Sequence, residues 1–398
     1  MNDLLSHITH EELDAVQSEH LPEVADSHDV YLLNSNKLIY HIDRVREWVV
    51  EGKRIPPILI DIGATKICNI KCEFCYGIFQ KSLGTARDII PSHALVNLFY
   101  DAPRIGVKAL VLTGDGEPTL NPAITQALQT GKDGGLDIGI ATNGVALTEE
   151  IIKSMVRNCV WVRVNLSAAS QAGYKLIHKA DFFERVVDNV KKLVEEKKKT
   201  GSKVTIGLQM VMTPNGLTHV LKEAQLAVDL GVDYFVVKQC SDPIGDLPCS
   251  GFDIEGMIKA STPVLKEAEA MSTDKTKIIV KWNLLAVENR RAYPYCIDPP
   301  LIFQISGNSK CYPCGFLFNR EEFEYGDLRQ QRLPEIISSE HYWNVIDKIM
   351  KMHTKELCPL GCCRHDMTNL FLYHYIKHRS EVEKRASNLP EIAHRNFI

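Results

Sequence analysis

The sequence predicts an α/β protein built on a parallel sheet, and three observations carry that prediction. From Pro57 to Gln239, six short apolar runs alternate with amphipathic stretches, the pattern of parallel strands joined by crossover helices. The residues before Pro57 read as helical instead. Beyond about residue 290 the alternation stops and the cysteine count rises, which places a change of domain there.

The elements follow in order. Residues 1–54 form a helical N-terminal extension, in which "ITHEELDAV" offers Thr9 as an N-cap and Glu12 as its capping-box partner. The strands are "PILIDI", "VKALVL", "LDIGIA", "VWVRVNL", "VTIGLQMVM" and "YFVVKQ", with "TKIIVKWN" (276–283) as a seventh candidate. Between them, "FFERVVDNVKKLVEE" spaces Phe183, Val186, Val187, Val190 and Leu193 as one helix face. The lysine run after it, ending at Gly201, suits a helix C-terminus better than a basic patch. Residues 55–289 make the main unit, 290–370 a smaller α+β unit, and 371–398 a polar helix and tail. No internal repeat or low-complexity segment interrupts this order.

Composition excludes several classes. At 398 residues, with 45% hydrophobic residues, the chain buries a sizeable core. A formal net charge of −4 gives no field for wrapping nucleic acid, no run of apolar residues is long enough to span a membrane, and the N-terminus lacks a secretory signal. The chain therefore reads as a soluble cytoplasmic protein, with no nucleic-acid or membrane partner. In a reducing compartment, thiolate ligation is a better account of a chain with 12 cysteines than disulfides are. Cys159, Cys240 and Cys249 stand alone and read as small buried hydrophobes.

The stretch "KICNIKCEFCYG" holds Cys68, Cys72 and Cys75. Structural zinc normally closes with four protein ligands, and no fourth cysteine or histidine lies nearby. An iron–sulfur cube held by three cysteines keeps one iron open for a substrate or cofactor. The motif, CxxxCxΦC with aromatic Phe74, resembles that of the radical S-adenosylmethionine superfamily. The resemblance implies a partial (β/α)6 TIM-like barrel with its site at the C-terminal strand ends. It also implies a [4Fe-4S] cluster whose open iron chelates S-adenosylmethionine, cleaved by one electron to a 5′-deoxyadenosyl radical. "GDGEP" is similar to the family's GGEP motif, so Asp115, Gly116, Glu117 and Pro118 are cofactor-binding candidates, with Asp115 standing where the family has its first glycine. Thr142 and Asn143 of "ATNG", Asn165 and Ser167 of "VRVNLSAAS", and Gln209 on the fifth strand complete the cofactor set.

Six later thiols, Cys296, Cys311, Cys314, Cys358, Cys362 and Cys363, resemble the twitch and SPASM domains that follow many radical barrels. Six cannot complete the two-cluster form. One auxiliary [4Fe-4S] cluster fits, held by Cys296, Cys314, Cys358 and one of Cys362 and Cys363, with Cys311 in reserve; a zinc knuckle is the rival. No catalytic residue is assigned. The implied activity is hydrogen abstraction from a polar small molecule, ending in oxidation, elimination or decarboxylation, with an external electron donor such as flavodoxin or ferredoxin. The rivals are a peptide-modifying maturase and a non-catalytic iron–sulfur or zinc-binding interaction protein. Lys238, Asp242, Asp246, Lys281 and Trp282 are candidates for the substrate pocket.

Overall fold

The computed structural model describes residues 5–16, 31, 37–75, 87–240, 253–282, 291–358 and 363–398. Every apolar run predicted as a strand is one: β1 (Leu59–Ile62), β2 (Ala109–Leu112), β3 (Asp137–Thr142), β4 (Trp161–Asn165), β5 (Thr205–Met212), β6 (Tyr234–Gln239) and β7 (Lys277–Val280). They pair in parallel and in chain order. β2 is buried at all four positions and β5 at all eight, as expected of parallel strands covered on both faces.

The sheet extends beyond the six strands that the resemblance implied. Besides β7 at one end, β8 (Ile302–Ile305) pairs in parallel with β1 at the other, Leu59 opposite Ile302. A hairpin then carries the sheet through β9 (Lys310–Tyr312) to β10 (Gly326–Asp327), giving the order β10-β9-β8-β1-β2-β3-β4-β5-β6-β7. "LIFQI" is continuous in hydrophobicity with the earlier strands, and burial against β1 decides its place. The sheet thus runs unbroken across the boundary drawn near residue 290.

Helices cover the outer face: α1 (His10–Ala15), α2 (Ile42–Val49), α3 (Ser92–Arg104), α4 (Ile124–Asp133), α5 (Glu149–Asn158), α6 (Gln171–His178), α7 (Phe183–Thr200), α8 (Pro214–Leu217), α9 (Val220–Leu230) and α10 (Ile254–Ala270). The capping box forms as read, Thr9 N–H donating to Glu12 Oε2 at 2.9 Å and Glu12 N–H to Thr9 Oγ1 at 3.2 Å. α7 ends at Gly201 with φ of +66°. In α2 the fully buried Trp48 donates its Nε1–H to Ile297 O at 3.0 Å, fastening the extension to the C-terminal unit.

After β10 come α11 (Leu333–Ser338), α12 (Glu340–Met350), α13 (Thr354–Leu357) and α14 (Asp366–Ala386). The expectation of a polar C-terminal helix needs correction. α14 begins earlier, and its first half is buried through Phe371, Leu372, Tyr373 and Tyr375. The tail is no loose end either. His394 Nε2 lies 3.0 Å from Thr205 Oγ1, Asn396 bonds Asp137 at 2.7 Å, and Phe397 packs edge-on to Trp161, so the tail stops the mouth formed by the first residues of β3, β4 and β5.

Candidate functional site

The thiol loop leaves the C-terminal end of β1, and backbone contacts from three directions hold it. Lys66 N–H bonds Asp88 O at 2.8 Å, Glu117 N–H bonds Ile67 O at 2.8 Å, and Lys71 and Glu73 donate to His178 O and Ile177 O at 3.2 and 2.9 Å. Side-chain donors then reach the sulfurs: Asn143 Nδ2 is 3.7 Å from Cys68 Sγ, and His178 Nδ1 is 3.0 Å from Cys72 Sγ. Phe74 sets its edge against the His178 ring at 5.6 Å.

The "GDGEP" turn is built to touch this loop. A Cβ on Gly116 would stand 2.3 Å from Thr65 O and 2.5 Å from Ile67 O, so only glycine lets the two backbones meet. Gly116 thus makes room for the protein's own chain. Asp115, the departure from the family motif, has a structural partner. Its carboxylate accepts from Ser306 Oγ at 2.9 Å and from Gly307 N–H at 3.1 Å, locking the β8–β9 turn beneath the site. Burial pushes the Asp115 carboxyl above its ordinary range, and these bonds oppose the shift.

Glu117 is buried and joins the ends of two strands. It accepts from Thr119 Oγ1 and Thr142 Oγ1, both at 2.6 Å, from Thr119 N–H at 3.1 Å and from Asn143 N–H at 2.7 Å. Burial raises its pKa above the ordinary carboxylate range, while the bonds from Asn143 and the threonines pull it down. The next turn closes with Gly144 at φ +74°, its N–H on Thr142 Oγ1 at 3.0 Å. Asn143 Nδ2 also donates to Asn69 Oδ1 at 2.6 Å, so the residue whose backbone N–H Glu117 holds reaches the thiol loop with its side chain.

These residues surround a cavity of about 470 Å³ at the C-terminal strand ends. Cys68, Cys72, Phe74, Cys75, Asp115, Gly116, Glu117, Thr142, Asn143, Asn165 and Gln209 all line it, as does Lys238. Two sequence candidates do not. Pro118 starts a short helical turn behind the wall. Ser167 is wholly buried, and its hydroxyl accepts from Val211 N–H at 3.1 Å, a bond inside the sheet rather than to a ligand. Trp282 donates to Glu269 at 3.0 Å, and neither it nor Lys281 lines the cavity. Asp242, Asp246 and Cys249 lie outside the described residues.

The opposite wall was not read from the sequence. Asp61 in β1 pairs with Arg364 Nε at 3.0 Å, and Gln304 in β8 stands beside His365, with Phe316 and Phe318 nearby. The signal for Asp61 was available: a charged residue inside an apolar run of a buried strand.

Behind this wall a second, small cavity of about 20 Å³ is lined by Cys296, Cys314, Cys358 and Cys363. Cys314, Cys363, Phe316 and His365 line both cavities, so the two thiol groups face one space from opposite sides. Cys311 is buried on β9 and lines neither. Cys362 lies outside the described residues. Asn369 braces the site, its Nδ2 at 3.4 Å from Cys296 Sγ and 3.0 Å from Asp298 Oδ1. Burial pushes the Cys314 thiol up to about 12 and raises those of Cys296 and Cys363 well above the ordinary thiol range. Such thiols become thiolates when a metal replaces the proton, and the all-sulfur donor set suits iron–sulfur or zinc. Among the described residues no three Cys, His, Asp or Glu side chains converge tightly enough for a single ion. A cube spreads its ligands wider than an ion does.

Comparison with known proteins adds the following. A family model described as Radical SAM superfamily matches residues 62–232. The tungsten-containing aldehyde ferredoxin oxidoreductase cofactor-modifying protein of Pyrococcus furiosus is 23% identical over 295 residues, covering 70% of this chain and 80% of that protein. A probable GTP 3′,8-cyclase of Saccharolobus islandicus is 27% identical over 173 residues, 43% of this chain, and the match spans about half (53%) of the cyclase. Among solved structures, Streptococcus suis SuiB bound to S-adenosylmethionine aligns with a TM-score of 0.59 at 14% identity, covering 77% of this chain and 72% of SuiB. Native anSMEcpe with bound AdoMet aligns with a TM-score of 0.54 at 17% identity, covering 83% and 100%. At these identities the structural likenesses bear on the fold.

Proposed function

We propose that this chain, whose residues 62–232 are a radical S-adenosylmethionine domain, reductively cleaves S-adenosylmethionine and abstracts hydrogen from a polar small molecule. One observation carries the reading: Cys68, Cys72 and Cys75 open into the same cavity as Glu117, Asn143, Asn165 and Gln209. When bound, the three-thiolate [4Fe-4S] cluster and its cofactor supply the electron and the 5′-deoxyadenosyl radical. The chain supplies the rest. Glu117 offers a buried carboxylate to the cofactor's amino group, and Asn165 and Gln209 offer hydrogen bonds along the wall of β4 and β5.

The facing wall carries charges of both signs, Asp61, Lys238 and Arg364, beside Gln239 and Gln304, which supports a polar substrate. Cys296, Cys314, Cys358 and Cys363 hold one auxiliary [4Fe-4S] cluster in a twitch-like unit, close enough to the cavity to exchange electrons with the substrate. An external reductant such as flavodoxin or ferredoxin feeds the first cluster. A peptide substrate is the second reading, because SuiB has also been solved with its precursor peptide SuiA. The test is anaerobic: reconstituted protein, reductant and S-adenosylmethionine, with 5′-deoxyadenosine measured by chromatography. Wild type is expected to form it. Replacing Cys68, Cys72 and Cys75 together with alanine is expected to abolish it while the auxiliary iron stays. Cleavage that survives in this variant, or none in wild type, overturns the proposal.

A further inference from the structure

α6 ends on His178, whose ring faces the thiol loop although no motif selects it. The ring is fully buried, stacked on Tyr174 at 4.3 Å and met edge-on by Phe74 at 5.6 Å. Its two nitrogens have different partners. Ser167 N–H lies 3.1 Å from Nε2, and a backbone amide can only donate, so Nε2 is an acceptor. In a neutral imidazole the proton then sits on Nδ1, which is 3.0 Å from Cys72 Sγ. Nδ1–H therefore points at the sulfur.

The backbone holds this arrangement as well. Lys179, just after the helix, adopts φ +53°, an uncommon value for lysine. That turn ends the helix and leaves His178 O to accept Lys71 N–H at 3.2 Å, one residue before Cys72. His178 thus grips the loop by its carbonyl and the thiolate by its ring. Ser167, one of the sequence candidates for cofactor binding, contributes by fixing the tautomer.

We infer that His178 is a positioning residue that donates an N–H···S hydrogen bond to the Cys72 thiolate and thereby raises the reduction potential of the cluster that Cys68, Cys72 and Cys75 hold. A donor on a ligand sulfur stabilises the extra negative charge of the reduced state, and hydrogen bonds to sulfur are among the factors that set such potentials. The electron that starts the reaction enters more readily as a result. The inference rests on the cluster assignment made under the proposed function.

The test compares His178→Leu, which removes the donor, with His178→Asn, which keeps an amide N–H near the place of Nδ1. Full-length protein is reconstituted anaerobically, its iron is counted, and EPR follows the signal that responds to S-adenosylmethionine during a redox titration. His178→Leu is expected to lower the ratio of reduced to oxidised cluster at a fixed potential about tenfold, a 59 mV shift for one electron. His178→Asn is expected to recover most of it. An unmoved midpoint in the leucine variant, or an asparagine variant shifted as far as leucine, overturns the inference.

A further measurement serves should the leucine variant fail to hold its cluster. With 15N-labelled histidine, pulsed EPR of the reduced wild-type cluster is expected to show a histidine nitrogen coupling that His178→Asn lacks. Absence of that coupling also overturns the inference. A wild type without a three-thiolate cube overturns the functional reading too, whereas one that cleaves the cofactor with an unshifted potential in the leucine variant overturns this inference alone.

Discussion

Removing the Glu117 carboxylate tests how the cavity grips its cofactor. The side chain accepts two hydroxyl bonds, from Thr119 and Thr142, and two backbone bonds, from Thr119 N–H and Asn143 N–H. In Glu117→Ala the hydroxyls can rotate to other partners, but the two buried amides cannot, and each unsatisfied amide costs about 1–3 kcal/mol. Glu117→Gln is milder. Its carbonyl still serves the threonines, while its amide meets Asn143 N–H donor to donor, losing one bond. Both variants lose a charged contact to the cofactor's ammonium group, worth about 1.5–3 kcal/mol. The dissociation constant of S-adenosylmethionine is therefore expected to rise about 10- to 150-fold. Anaerobic calorimetry on protein whose iron content matches wild type measures it. The glutamine variant decides the matter because it keeps the fold. An unchanged constant with an intact cluster refutes the assignment of Glu117 to the cofactor.

Two further predictions follow from the C-terminal unit and the tail. Reconstituted protein is expected to hold about eight irons per chain, two four-iron cubes; Cys314→Ala is expected to lose about half while Cys311→Ala loses none, and stoichiometric zinc with four irons refutes the auxiliary cluster. Burial lowers the His394 imidazole to about 3. The unfolded chain, titrating near 6.5, then binds more protons between those values, so stability is present above about pH 6.5 and falls as pH drops through the window. One pH unit below 6.5 the loss is about 1.4 kcal/mol, and His394→Phe is expected to remove that loss, seen as a flatter melting temperature against pH, with unchanged steepness refuting the role.

The strands from β1 to β7 were legible because each is a short apolar run buried on both faces, which only a parallel sheet with crossover helices provides. β8 was missed as part of that sheet because its partner is β1, and no local pattern encodes a pairing across most of the chain. The same reach explains Asp115. A one-residue departure from GGEP looked like a weakened motif, and its cause is a turn near residue 306. That Cys68, Cys72 and Cys75 face one space was legible because they share one short loop. Ser167 was misassigned because strand-end position suggests a ligand contact, while register with β5 gives its hydroxyl an amide to satisfy. His178 carried no signal at all, since a lone histidine at a helix end acquires meaning only from the loop that folds against it.

The pairing of β1 with β8 also governs when the protein becomes competent. During synthesis β1 and the thiol loop leave the ribosome early, but the strand that covers the free edge of β1, and the turn that satisfies Asp115, emerge only after β7 has been made. Until then that edge of β1 is unpaired. The backbone contacts that shape the thiol loop come from residues 88–178, so only the bonds from Ser306 and Gly307 to Asp115 wait for the late stretch of chain. Closure of the β1 edge is thereby a late event in synthesis, complete only once β8 and the turn after it have emerged.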